Sequence, residues 1–146
     1  MSYTADLAHG LAGYLAAAGI GAYRPGGVYR EDEVGIVIGT VPASPGRVVT
    51  LSVYPLVDDV DQADSLLGLQ VRVRSGTPDP REVLDLLDAV FEILQGTTHL
   101  YFHDVEVHLS QRIASLPMRQ DSNKRYEHAD IYQLTTHRPT YHRRDN

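Results

Sequence analysis

Cysteine is absent from all 146 residues, which excludes disulfide staples, thiol nucleophiles and Cys-type zinc or iron–sulfur sites. Histidine and carboxylate chemistry remain open. Lysine is almost missing as well: twelve of the 13 basic residues are arginine, and Lys124 stands alone, a skew that fits a GC-rich genome. Basic charge is short overall, because 19 acidic residues leave a formal net charge of −6. That is the wrong sign for a protein that wraps nucleic acid over its whole surface, although it allows a local basic patch. No stretch approaches the roughly 18 consecutive apolar residues of a membrane span, and the first residues show no basic region followed by an apolar one. A soluble, unsecreted protein is therefore expected. With 42% hydrophobic residues, a chain of this length forms one domain that needs neither metal nor disulfide to fold.

The pattern along the chain predicts an α+β fold. Leu7, Leu11 and Leu15 recur every four residues beside Ala8, Ala12 and Ala18, as a packed amphipathic helix over 4–18 would have them, and Gly19 and Gly21 end it. Residues 23–33 hold Pro25, Gly26, Gly27 and the charged cluster Arg30-Glu31-Asp32-Glu33, which reads as an exposed, mobile connection. The apolar runs 34–40 and 47–54, separated by Pro42, Ala43, Ser44, Pro45 and Gly46, read as two adjacent strands. Asp58, Asp59, Asp61 and Asp64 make 55–65 an acidic loop. From 69 to 74, Leu69, Val71 and Val73 alternate with Gln70, Arg72 and Arg74, so one strand face is buried and the other, with both arginines, is polar.

A second helix has the strongest local signal. Asp79 is placed to cap it, Pro80 suits its first position and Glu82 stands where a capping box needs an acid. Val83, Leu87, Val90, Phe91 and Leu94 form one stripe, Glu82, Asp85, Asp88 and Glu92 lie off it, and Gly96 stops the helix. Residues 99–102 and 105–109 read as strands, and Pro117 limits 111–118 to an edge or a bend. After a polar turn over 120–124, Ala129, Ile131 and Gln133 alternate with Asp130, Tyr132 and Leu134 in a final strand over 127–137. The expected architecture is a two-layer α+β domain over 1–137, a mainly antiparallel mixed sheet with both helices packed on one face, followed by an exposed basic tail over 138–146.

No constellation points to catalysis. His99 and His103 are four residues apart and would share a strand face, but the five-residue step to His108 turns that residue away, so no metal site is expected. The acidic loop lacks the central glycine and final glutamate of an EF-hand. Asp88 and Glu92 lie on the solvent side of their helix, and Ser110, Ser115 and Ser122 lack nucleophile-elbow glycines. No catalytic residue and no cofactor are expected. Two alternatives stay open: a small metal-dependent enzyme using His99, His103 and Asp104, and a monomeric adaptor.

Three stretches carry a resemblance to a known family: Leu69-Gln70-Val71-Arg72-Val73-Arg74, the helix from Asp79-Pro80 to Leu94-Gln95-Gly96, and 121–126 leading into 127–134. In this organisation the chain resembles the tail terminator or minor capsid (head–tail joining) proteins of long-tailed bacteriophages. The resemblance implies a structural virion protein, usually a ring of six, at the head–tail junction. Such a ring ends polymerisation of the tail tube protein and joins the tail to the head connector or stopper protein. Six copies at −6 each carry a formal −36, so a lumen lined with acid would let DNA pass without specific binding. Contacts with neighbouring copies and with those partners are expected on exposed loops and on the polar sheet face. The candidate residues are Asp58, Asp59, Asp61, Asp64, Arg72, Arg74, Asp121, Lys124, Arg125, Arg138, Arg143 and Arg144.

Overall fold

The structure is a computed structural model that describes residues 2–143. Ser2 Oγ accepts the Ala5 N–H at 3.2 Å and opens helix α1, Tyr3–Ala17. Leu7, Leu11 and Leu15 are fully buried along one stripe of it. Beyond the C-cap, Gly19 takes a left-handed φ of +91°, and the Gly19 and Ile20 N–H groups donate back to the Ala16 and Leu15 carbonyls. This satisfies the end of the helix and drops Ile20 into the core.

Six strands follow around the second helix: β1 (Gly35–Ile38), β2 (Val48–Asp58), β3 (Asp64–Arg74), α2 (Pro80–Leu94), β4 (Thr98–Phe102), β5 (Val105–Gln120) and β6 (Tyr126–His137). They make one sheet in the order β1-β2-β3-β6-β5-β4, parallel only between β1 and β2. Strand alternation decides which face is covered. Leu67, Leu69, Val71 and Val73 of β3 stand opposite Leu134, Tyr132, Asp130 and His128 of β6, and the apolar members of that row join Leu7, Leu11, Leu15, Val83, Leu87, Val90 and Leu94 in a single core. Both helices therefore cover one face, as expected for the α+β class. No helix among the described residues is long and apolar enough to cross a membrane.

Several local expectations are corrected. The acidic stretch is no loop: β2 runs on to Asp58 and β3 starts at Asp64, leaving 59–63 as the tip of a hairpin. The two short runs around Ser110 fuse into the single strand β5, because irregularities between Val107/Leu109, Arg112/Ala114 and Leu116/Arg119 absorb its misfits, the last of them at Pro117. Glu82 caps differently from a capping box, since its carboxylate accepts the Gly76 N–H at 2.7 Å and the Thr77 hydroxyl at 2.8 Å.

The connection over 22–34 is pinned rather than loose. Arg24 holds the Glu33 carboxylate with both guanidinium nitrogens, and the Tyr29 hydroxyl donates to the Ile36 carbonyl at 2.7 Å. The Arg24 hydrogen bond, then the Arg30 backbone N–H, holds the Glu33 carboxyl down at about 2.

Candidate functional site

Apart from Arg72 and Arg144, the expected contact residues fall into two groups at opposite ends of β3. Ten residues at the usual strand rise separate Asp64 from Arg74 by about 33 Å.

At the first end the β2–β3 hairpin projects past the helices. Asp59 Oδ1 accepts the Asp61 and Gln62 N–H groups at 2.7 and 2.8 Å, and these backbone bonds lower its pKa, so Asp59 builds the turn. Asp58, Asp61 and Asp64 stay exposed, beside Val57 at 59% and Val60 at 80% exposure. The C-terminal segment departs from a free tail here. The Arg138 N–H donates to the Ala63 carbonyl at 2.6 Å, and its guanidinium lies 4.6 Å from the centre of the Tyr3 ring. Arg143 donates to the Gln62 and Asp64 carbonyls at 2.8 and 2.9 Å and to Ser65 Oγ at 2.6 Å. Residues 139–142 remain exposed. Arg144 lies outside the described residues.

At the other end stand Arg74 and the β5–β6 turn. Arg74 shares the polar strand parity of Arg72, yet only 4% of it is exposed. The 39–47 crossover folds over it, and its guanidinium donates to the Pro45 carbonyl at 2.7 Å, to Gly46 at 2.9 Å and to Ala43 at 3.4 Å. Burial first, and then the neighbouring Arg125, lower its pKa. It therefore holds the fold together, and the expectation that it stands free on the polar outer face is corrected, because the crossover covers it there. Asp121 and Arg125 also satisfy each other: Oδ2 accepts from the Arg125 guanidinium at 3.0 Å, while Oδ1 accepts the Asn123 and Arg125 N–H groups at 2.9 Å. The Arg125 backbone bond, ahead of the Arg125 side chain, lowers the Asp121 pKa. Lys124, at a left-handed φ of +62°, is the exposed charge of this turn.

Between the two ends lies the sheet face that no helix covers. Arg72 reaches it and lines an open groove of about 280 Å³ with Leu116, Pro117, Arg119, Glu127, His128 and Ala129. The groove borders an open sheet edge, because β4 pairs only with 105–109 of β5, the 95–97 turn takes the Ser110 and Arg112 backbone groups, and 113–120 is left without an outer strand among the described residues. Ile113 on that edge is 47% exposed. On the far side β1 pairs only with 48–51, so the outer half of β2 is open as well.

His99, His103 and Asp104 do not assemble a metal-binding group among the described residues. His108 assembles one with Asp64 and His137, which the alternation pattern missed. His137 stands opposite Asp64 on one side and Glu106 on the other, and His108 occupies the irregular position between Val107 and Leu109. The sequence carries no sign of that bulge. A half-buried ion pair was missed too: the exposed Arg112 lies 3.3 Å from Asp130, which is 3% exposed and also receives the Ser115 hydroxyl, and stacks 4.2 Å from the centre of the Phe91 ring.

Among curated proteins none matches the chain at a significant level. A chain of the solved structure described as the virion of a native gene transfer agent particle superimposes with a TM-score of 0.56 at 16% identity, covering 69% of this chain and 78% of that one, and so shares its fold. The family model described as bacteriophage tail terminator protein matches residues 14–138, most of the chain. The protein belongs to the bacteriophage tail terminator protein family and is a tail-related structural component of a phage virion.

Proposed function

We propose that the chain forms a ring, of six copies as the family resemblance implies, at the head–tail interface. The ring caps the tail tube, ends its polymerisation and joins it to the head connector. The observation that carries this reading is the division of the exposed contact candidates between two separated ends of one rigid sheet. The acidic, apolar-tipped hairpin with Arg138 and Arg143 lies at one end and the Lys124 turn at the other. A junction needs two unlike docking surfaces, because a tube that meets a face unlike its own has no template for the next ring.

Lateral association draws support from the two half-open edges, 113–120 of β5 and the outer half of β2, which lie on opposite sides of the sheet. An edge of one kind meeting an edge of another gives a head-to-tail contact, which closes into a ring when the rotation per copy allows. DNA passes through the lumen without specific binding, consistent with the net charge of −6 on each copy.

Two variants in the parent phage test the reading. Lys124→Glu and the hairpin double change Asp58→Lys with Asp61→Lys should each leave the protein folded and soluble. One set should yield tails of uncontrolled length and the other capped tails unattached to heads. Particles lacking the protein altogether, yet carrying tails of normal length on full heads, would overturn it.

A further inference from the structure

We propose that Asp64, His108 and His137 form a binding site for a divalent transition metal of the zinc class, a structural clip at the hairpin end of the sheet. The inference does not depend on the ring. One donor atom from each of the three residues lies within 4.8 Å of the others. His137 Nδ1 and Asp64 Oδ1 are 3.2 Å apart, close to the edge of about 3.4 Å that a tetrahedron with metal–ligand bonds of about 2.1 Å requires. The rings of His108 and His137 meet edge to face with centroids 6.2 Å apart, so closing around an ion needs side-chain rotation rather than strand movement.

The backbone sets this geometry. Asp64, His137 and Glu106 are direct cross-strand neighbours on β3, β6 and β5, and so point to the same face. The β5 irregularity at His108 brings a second imidazole to that row. Glu106 stands behind it, with its carboxylate 3.6 Å from His108 Nδ1 and accepting the Tyr101 hydroxyl at 3.2 Å, placed as the carboxylate that orients a ligating histidine. Two imidazoles and one carboxylate favour zinc, cobalt or nickel over magnesium or calcium, which prefer all-oxygen shells. Both histidines are half-buried while Asp64 is exposed, so an ion has a route in and a fourth position open to water. A bound ion would tie the base of the β2–β3 hairpin to β6 and β5, next to the Arg143 guanidinium that already holds the Asp64 carbonyl.

The test uses the untagged full chain, stripped with chelator and titrated with zinc chloride by calorimetry and with cobalt chloride by visible absorption. The expected result is one equivalent per chain, the intense visible bands of low-coordinate cobalt, and a raised thermal midpoint. Asp64→Asn and His108→Gln should each weaken binding at least tenfold, and His103→Gln should leave it unchanged. Far-UV circular dichroism reports folding of each variant. Should His108→Gln fail to fold, the exposed Asp64→Asn carries the same comparison. Absence of binding to the wild-type chain, or binding that survives Asp64→Asn, would overturn the proposal.

Discussion

The Arg74 guanidinium donates to the Pro45 carbonyl at 2.7 Å, joining the end of β3 to a crossover 29 residues earlier in the chain. With Gly46 and Ala43 also accepting, a planar fork of donors satisfies three main-chain oxygens, the Pro45 carbonyl in a buried contact and the other two at its partly exposed rim. Arg74→Met keeps the bulk and removes every donor. Leaving the buried Pro45 carbonyl unpaired costs about 1–3 kcal/mol, while the Ala43 and Gly46 carbonyls can turn to water, so the expected loss is about 1–3 kcal/mol. Arg74→Lys should recover only part of it, since an ammonium cannot reproduce the fork. Urea denaturation midpoints measure both, and an unchanged Arg74→Met midpoint would sink the assignment.

Glu33 makes stability depend on pH in a defined window. Its carboxyl sits at about 2 in the folded chain, because Arg24 and then the Arg30 N–H favour the ionised form, against about 4.3 in an unfolded chain. A depressed folded value contributes stability that is complete above the unfolded value and is lost as pH falls through the folded one. The gap in melting temperature between wild type and Glu33→Gln should therefore be full at pH 6, shrink from about pH 4.3 downward and vanish near pH 2. A gap that grows in acid would contradict the pairing.

Tyr132 is fully buried, and its hydroxyl has no hydrogen-bond partner among the described residues. Burial first, and then Asp130, push the phenol pKa up. Removing an unpaired buried polar atom while keeping the ring relieves its desolvation cost, so Tyr132→Phe should be neutral or stabilising by up to about 1 kcal/mol. A clear loss of stability in chemical denaturation would reveal a partner for that hydroxyl.

Gly10 lies in the middle of α1, where alanine would favour the helix by about 1 kcal/mol on propensity alone. Here packing outweighs propensity. A Cβ at Gly10 would stand 2.2 Å from Phe102 Cγ, so the β4 ring fills the space that glycine leaves. Gly10→Ala should cost about 1–3 kcal/mol by overpacking, and combining it with Phe102→Ala should show a coupling of at least about 0.5 kcal/mol. Additive effects in the double variant would mean that the helix and ring do not meet.

Signals confined to a few neighbouring residues were legible in the sequence. Asp79 and Pro80 start α2 where they were expected to, and Gly96, at a φ of +77°, lies just beyond its end. Leu69, Val71 and Val73 declared the covered face of β3. What failed depended on distant chain. Parity put Arg74 on the correct face of its strand, but nothing in 69–74 announces that the 39–47 crossover folds over it. Acidity argued for a loop around Asp58 and Asp64, whereas a hairpin that projects past the core lets strands carry charges outward. The same limit hid the histidine group, because parity assigns His108 correctly only when the β5 bulge is known, and His137 approaches it from another strand. Arg138 and Arg143 read as a loose end because their acceptors are carbonyls at positions 62–64, far back along the chain.

The place of β6 in the sheet bears on how the molecule comes to exist. Of the six strands of this sheet β6 is synthesised after the other five, yet it lies in the interior, inserted between β3 and β5 and paired along nearly its full length with both. Until it emerges, β3 keeps a bare inner edge and the nascent chain can hold only helices and two separate pieces of sheet, β1-β2-β3 and β5-β4. The sheet therefore closes after translation has passed His137, in a late, long-range step that the long sequence separation of its contacts makes slow. During that interval the open β3 edge is the segment most exposed to wrong pairing with other nascent copies.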